Sequence, residues 1–330
     1  MRPLPTPDLD HVLESAQDVW ESLSGSRLFI TGASGFVGTW LMETLLHAND
    51  RLRLGISATA LTRDSVSYSQ SSPSVTRHSA VSIVQGDVQS FEFPAGEFPY
   101  VIHAALPTNE PETRGMQHML EFAATHGTRR FLFTSSGAVY GKQPPELNRM
   151  PEDFPFGEEV TAYGLAKRAS ESLLIDSGQQ YGFAPIIARL FAFVGPRLPL
   201  DRNFAVGNFI RDVLAGGPIR IQGDGTPYRS YLYAADMAVW LWTLLAHGTA
   251  FTPYNVGSGE AVSIAELADI VAAATVPGTP IEIAQKPVLG APGPRYVPSV
   301  ERAKVDLGLE PVIALEEGVR RMYEWAKLPR

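Results

Sequence analysis

The chain has 330 residues, 45% of them apolar and 19% charged, with a net charge of −8 and no cysteine. That apolar share can fill a sizeable core, while the charge content excludes a disordered chain and the acidic balance excludes broad affinity for nucleic acid or an anionic membrane. The lack of cysteine removes disulfides, thiolate metal ligands and a thiol nucleophile, and it fits a cytoplasmic location. No apolar run is long enough to span a membrane, and the amino terminus lacks the basic-then-apolar order of a signal peptide.

Leu9, Val12, Leu13, Val19, Trp20 and Leu23 recur at helical spacing, which predicts a helix over 8–23 with Asp8 and Asp10 at its start and Ser24-Gly25-Ser26 as its stop. It forms an N-terminal extension (residues 1–25) whose expected role is packing or dimer contact. Strands and helices then alternate. Strands are predicted at 27–31, 58–61, 82–84, 100–104, 130–134 and 185–193, and helices at 36–48, 116–126 and 163–177. The strands are continuously apolar, as in strands covered on both faces. The order predicts an α/β fold, a Rossmann-type doubly wound parallel sheet, over residues 26–195. Residues 196–330 carry shorter mixed segments, with helices at 205–215, 234–246, 263–273 and 315–327. They read as a smaller C-terminal substrate lobe interleaved with the core. Residues 64–80 read as a polar loop.

The first strand runs into Thr31-Gly32-Ala33-Ser34-Gly35-Phe36-Val37-Gly38. In a strand–turn–helix setting Gly32 permits the tight turn, Gly35 lets the backbone approach a pyrophosphate, and Gly38 lets the helix pack on the strand. The helix N-terminus at Phe36 and Val37 then presents amides to the phosphates. A dinucleotide, NAD or NADP, is the expected cofactor.

Tyr163-Gly164-Leu165-Ala166-Lys167 places a phenol and an ammonium four residues apart, on one face of a helix. The ammonium, and the charge of an oxidised nicotinamide, favour the phenolate, so Tyr163 can take a proton from a hydroxyl while hydride leaves its carbon, or return it. Ser136, 27 residues upstream, ends the fifth strand, where open α/β sheets place their sites. Ser136, Tyr163 and Lys167 are the candidate catalytic residues.

The G-x-x-G-x-x-G spacing, the Y-x-x-x-K and Ser135–Gly141 (S-S-x-x-V-Y-G) resemble the extended short-chain dehydrogenase/reductase family, in its nucleotide-sugar epimerase, dehydratase and decarboxylase branch. Arg189–Pro196, Asn208–Ile210, Gly223-Asp224-Gly225 with Arg229 and Asp236, Asn255–Gly257 and the Arg295 region follow in family order, so the resemblance covers roughly 26–310. It implies that Asp87 and Val88 contact adenine, although Asp87 could instead cap a local turn, and that His103, Ala104 and Ala105 lie beside the nicotinamide. It implies a nucleoside-diphosphate sugar as substrate, contacted by Ser135, Ser136, Asn208, Arg229 and Arg295. The two arginines supply the planar bidentate donors that a diphosphate needs. At the end of the second strand, Thr62 stands where NAD users of the family carry Asp. Arg63 suits a 2′-phosphate, so NADP is preferred, while Asp64 keeps NAD open. Relatives dimerise through the Tyr-bearing helix and its neighbour, and Leu173, Leu174, Leu120 and Phe122 could serve a homodimer or be buried within the chain. No metal is expected, and His118 and His126 read as surface or satisfied polar residues.

Three departures bear on the reaction. The family's 4,6-dehydratases carry Asp-Glu where this chain has Gly137-Ala138, and its decarboxylases keep the Glu. Neither residue here can transfer a proton, which argues against both reactions. Ala192 replaces an Asn that bonds the substrate diphosphate. The segment after Ala105 is shorter than in relatives. The leading reading is an epimerase, at C4, working through a transient keto-sugar with return of the hydride. The alternative is an NADPH-dependent reductase of a 4-keto-sugar. A non-catalytic nucleotide-sensing protein would not need Ser, Tyr and Lys together.

Overall fold

The computed structural model describes residues 2–105, 112–288, 290 and 293–328. Two compact units emerge from the packing of the chain. One comprises Met1–Val139, Val160–Arg189 and Ala238–Tyr254, the other Tyr140–Glu159, Leu190–Met237 and Asn255–Arg330.

The chain opens with α1 (Thr6–Ser15) and α2 (Gln17–Leu23). The single helix expected over 8–23 is thus broken, because Ala16 adopts φ −125°, ψ 37°, outside the helical region. Its apolar face is buried against its own unit. Trp20 is fully buried with its ring 5.4 Å from that of Trp242, and Leu4 N–H donates to the buried Glu43 carboxylate at 2.6 Å. The extension is therefore a packing element of the first unit.

β1 (Arg27–Thr31), α3 (Phe36–Leu52) and β2 (Ser57–Thr62) follow. The polar stretch at 64–80 is a loop by composition, yet it contains α4 (Ser65–Ser71) and α5 (Pro73–Thr76). Local capping explains this, since the Asp64 carboxylate accepts from Ser67 N–H at 2.8 Å and Pro73 opens α5. Next come β3 (Val81–Gln85), β4 (Tyr100–His103), α6 (Glu112–Thr125), β5 (Arg130–Ser136), a 3₁₀ turn (Gly137–Tyr140), α7 (Ala162–Tyr181) and β6 (Ala184–Leu190). The expected strand over 185–193 ends at Leu190, and Phe193–Val194 form β7, which pairs with a strand of the second unit instead.

After α8 (Ala205–Leu214) come β8 (Ile219–Ile221), β9 (Tyr228–Arg229), β10 (Leu232–Tyr233), α9 (Ala234–His247), β11 (Pro253–Val256), β12 (Val262–Ser263), α10 (Ile264–Ala274), β13 (Ile281–Ile283), β14 (Arg295–Tyr296), α11 (Glu301–Leu307) and α12 (Leu315–Lys327). The short strands here were not legible in the sequence, because two- and three-residue strands carry no periodicity.

The main sheet has seven strands in the order β11-β6-β5-β4-β1-β2-β3. β1 pairs in parallel with both β2 and β4, and Thr31 stands level with His103. The chain runs outward from β1 to β3 and then returns to β4, so the order reverses between β1 and β4, where such sheets bind ligands. Under this sheet lies an aromatic core in which Phe29 and Phe122 approach to 4.4 Å between centroids. Leu120, Phe122 and Leu174 are buried in that core with Leu173 packed against it, so burial within the unit accounts for all four. His118 and His126 join the same cluster. Their ring nitrogens meet the carbonyls of Phe91 and Phe122, each at 2.9 Å.

In the second unit β9 lies between β12 and β14, β7 pairs with β10, and β8 pairs with β13. Asn255 ties its loops together: the amide nitrogen donates to Met150 O and Ser299 O, and its oxygen accepts from the Tyr140 hydroxyl at 2.7 Å. Among the described residues no helix is long and apolar enough to cross a membrane, and no three His, Asp or Glu side chains gather as a metal-ligand group.

Candidate active site

The turn after β1 leaves little room for side chains. Gly32 has φ +72°, and a Cβ there would lie 2.5 Å from the carbonyl of Ala104. At Gly38 a Cβ would lie 2.2 Å from Gly32 O. Both positions therefore require glycine, one for its conformation and its approach to the 104–105 backbone, the other so that α3 can start against the turn. α3 begins after Gly35 with no side-chain cap, so its N-terminal end, at Phe36 and Val37, keeps the positive end of the helix dipole for an anion. This cradle fits a dinucleotide pyrophosphate.

Around it the expected cofactor residues take several roles. The Asp87 carboxylate accepts from Gln89 N–H at 2.9 Å and so caps the turn that leads to Val88 and beyond. Thr62 is buried, and its hydroxyl donates to Asp64 O at 3.3 Å. The Asp64 carboxylate is used as the cap of α4, and Arg63 is exposed beside it. The His103 ring is turned into the core, where it stacks on Phe133 and meets the Thr31 hydroxyl at 2.7 Å. Burial, reinforced by the charge of Lys167, pushes its pKa down to about 3, so the ring is neutral. Thr31 Oγ1 also accepts from Ala105 N–H at 3.2 Å, which fixes the backbone of Ala104 and Ala105 over the glycine turn. The segment that follows Ala105, expected to be short, lies outside the described residues.

The catalytic candidates all lie in the first unit. Ser136 is the last residue of β5, and its Oγ accepts from Ala138 N–H at 3.2 Å. Thr161 caps α7 by accepting from Gly164 N–H at 3.1 Å, so Tyr163 stands in the first turn, with 44% of its surface exposed. Lys167 is buried one turn further on. Its ammonium donates to Thr134 O at 2.9 Å, sits 4.5 Å from the Phe133 ring centroid and 5.8 Å from that of Tyr163. One side chain thus ties the end of β5, which carries Ser136, to the helix that carries Tyr163.

Two supports escaped the sequence reading. The first is Gly164, where a Cβ would lie 2.3 Å from Ala138 O, so the residue next to Tyr163 must be glycine for α7 to seat on the 3₁₀ turn. The second is a buried network behind Ser136. Arg189 binds the Glu171 carboxylate with Nε at 3.0 Å and Nη2 at 2.7 Å, and the Ser135 hydroxyl donates to Glu171 Oε1 at 2.5 Å. Ser135 therefore faces inward, and what it offers a substrate is the placement of its neighbour Ser136. The available signal was positional, since Glu171 lies one turn beyond Lys167 on the same helix.

The substrate candidates lie in the second unit. Asn208, on α8, accepts from Arg211 at 3.3 Å. Arg229 and Arg295 come from the neighbouring strands β9 and β14. The Arg295 guanidinium lies 4.2 Å from the Tyr228 centroid, and that of Arg229 lies 5.8 Å from the Tyr296 centroid. Two residues that accompany Arg229 in sequence are structural. Asp224 accepts from Thr226 N–H and Oγ1, which holds its carboxyl below the usual range, and buried Asp236 accepts from Val312 and Ile313 N–H, each at 2.9 Å.

The chain is similar to several known proteins. It is 30% identical over 304 residues to UDP-glucuronic acid decarboxylase 1 of Arabidopsis thaliana, covering 90% of this chain and 68% of the relative. It is 29% identical to UDP-glucuronic acid decarboxylase 5 of the same plant, covering 91% and 89%. Its fold matches the Bacillus cereus UDP-glucuronic acid 4-epimerase, solved with a UDP-sugar analogue and NAD, at TM-score 0.77 and 20% identity over 91% and 99% of the two chains. It matches dTDP-glucose 4,6-dehydratase of Bacillus anthracis, solved with NAD, at TM-score 0.76 and 18% identity over 91% and 96%. A family model described as the NAD dependent epimerase/dehydratase family matches residues 28–257. With the glycine turn, the Ser–Tyr–Lys set and this match in agreement, the chain belongs to the NAD dependent epimerase/dehydratase family of enzymes.

Proposed function

We propose that the protein is a nucleotide-sugar epimerase acting at C4 of a nucleoside-diphosphate sugar. One observation supports the reading: Lys167 reaches Thr134 O, two residues before Ser136, and lies 5.8 Å from the Tyr163 ring centroid, while Gly137 and Ala138 hold no group that can move a proton. Epimerisation through a keto-sugar needs one acid–base residue at the reacting hydroxyl. Water elimination across C5–C6 needs a further acid and base. Resemblance to decarboxylases at 30% identity therefore does not carry their reaction to this chain.

A bound nicotinamide supplies a hydride acceptor that can return what it took. Tyr163 Oη takes the proton of the sugar hydroxyl and later gives it back. Lys167 favours the phenolate by its charge, and Ser136 Oγ hydrogen-bonds the reacting oxygen. Arg229 and Arg295 hold the diphosphate while the keto-sugar turns over. The homodimer and cytoplasmic setting expected from the sequence belong to this reading.

For the dinucleotide, the family description speaks for NAD. An NADP preference is proposed from β2: Thr62 replaces the acid, the Asp64 carboxylate is occupied as a helix cap, and Arg63 is exposed next to both. The same observation favours the second reading, an NADPH-dependent 4-keto-sugar reductase. Mass spectrometry of the nucleotide released on denaturation separates them. Stoichiometric NAD⁺ or NADP⁺ is expected for an epimerase that recycles its cofactor in place. A protein that purifies empty and then oxidises NADPH with a 4-keto-sugar would replace the epimerase by the reductase.

A further inference from the structure

Arg149 lies in none of the motifs that carry the family resemblance. Together with Asn148, Gly259, Ala261 and Arg295 it lines a cleft of about 430 Å³ in the second unit, a volume within the range of small-ligand sites. The residue is exposed, and its guanidinium is anchored at one edge. Nε donates to Gly259 O at 2.7 Å. A Cβ on Gly259 would lie 3.3 Å from Nε and 3.4 Å from Cζ, so the planar group rests against a residue that has no side chain to push it away. That bond uses one of the five N–H donors of the guanidinium and leaves those of the two Nη nitrogens for other acceptors.

Arg295 reaches the same cleft from β14, with its guanidinium over the Tyr228 ring. Among the described residues neither arginine has a carboxylate at ion-pair distance. The chain carries 35 acidic residues against 27 basic ones, and Glu260 stands between Gly259 and Ala261, yet no described carboxylate pairs with either arginine. Two cations line one cleft with no described carboxylate paired to either, one bonded to Gly259 O and the other over the Tyr228 ring. Such a pair is stabilised by an anion with several oxygens.

We infer that the cleft binds the diphosphate of a nucleoside diphosphate and that Arg149 grips it opposite Arg295, as an arginine outside the family pattern. This rests on the nucleotide-sugar reading and adds a residue to it.

The test is calorimetric binding of UDP, dTDP, uridine and thymidine to the full chain with NAD⁺ in excess, for wild type, R149Q, R149K and R295Q. R149Q is expected to weaken the better-bound diphosphate about tenfold or more and to leave its nucleoside unchanged. R149K should restore only part of the loss, because an ammonium keeps the charge but not the planar fork. R149Q within twofold of wild type, with R295Q weakened tenfold, overturns the role of Arg149 alone and leaves the nucleotide-sugar reading standing. Equal losses for diphosphate and nucleoside also overturn it, since the contact would then be to ribose or base. Wild type that binds neither diphosphate overturns both. Should R149Q not fold, G259A keeps both charges and crowds the guanidinium. Several-fold weaker diphosphate binding then supports the inference, and unchanged binding overturns it.

Discussion

The two units place charge in opposite ways. In the first, the groups behind the chemistry are buried and matched: Lys167 against the Thr134 carbonyl and the Phe133 ring, and Arg189 against Glu171. In the second, Arg149, Arg229 and Arg295 rest on a glycine carbonyl, a backbone carbonyl and tyrosine rings, on strands of two residues and on loops. A buried, bonded group is held in place before any ligand arrives, which suits the scaffold behind a reacting residue. A guanidinium laid on a ring keeps its N–H edge for a ligand. The contrast fits the proposal that the reacting residues belong to the first unit and the diphosphate-binding arginines to the second.

The sharpest way to break that contrast is Tyr163→Phe. Removal of one acid–base hydroxyl is expected to lower kcat by about a thousandfold, within the span of general acid–base catalysis, with binding of a UDP-sugar changed by less than about threefold. A matching loss of binding in the same calorimetric measurement would mean that Tyr163 belongs as much to substrate grip as to chemistry. Glu171→Gln probes the support behind it. The variant keeps shape but strips the buried Arg189 of its charge partner, which typically costs about 3–5 kcal/mol. Urea unfolding should show the loss as a lower midpoint at an unchanged slope. An unaltered midpoint would remove the Ser135–Glu171–Arg189 network from any part in holding Ser136.

The same contrast explains what could be read from sequence. β1, its glycine turn and the start of α3 were legible because the phosphate turn constrains residue type at Gly32, Gly35 and Gly38. The Tyr163 helix was legible because a four-residue spacing encodes a shared face. The break at Ala16 was not, since alanine is the strongest helix former and nothing local marks the interruption. α4 was hidden by its polar composition, although Asp64 at its cap was visible. β9, β12 and β14 are too short to show alternation, and for that reason Arg149 stood outside every pattern, because its place beside Gly259 and Arg295 is set by contacts more than a hundred residues apart in sequence. Ser135 reads as a substrate contact because it opens the S-S-x-x-V-Y-G stretch beside Ser136. Only the structure turns its hydroxyl to Glu171.

The smallest expected effect concerns His103, a buried group of the first unit whose charge is suppressed by burial and by Lys167. Its folded pKa is about 3 against 6.5 for an unperturbed ring. Between those values the unfolded chain binds a proton that the folded chain refuses, so stability falls as pH drops through this window, by at most about 1.4 kcal/mol per pH unit for one proton. Above pH 6.5 both states are neutral at this site, and below 3 both are charged, so the slope vanishes at either end. His103→Asn removes the titration and keeps an amide that can meet the Thr31 hydroxyl. Unfolding free energies measured from pH 7 to pH 4.5 should therefore fall less steeply for the variant than for wild type, since carboxylates contribute equally to both. Parallel curves would mean that the folded chain protonates this ring as readily as the unfolded one, so that neither burial nor Lys167 suppresses its charge.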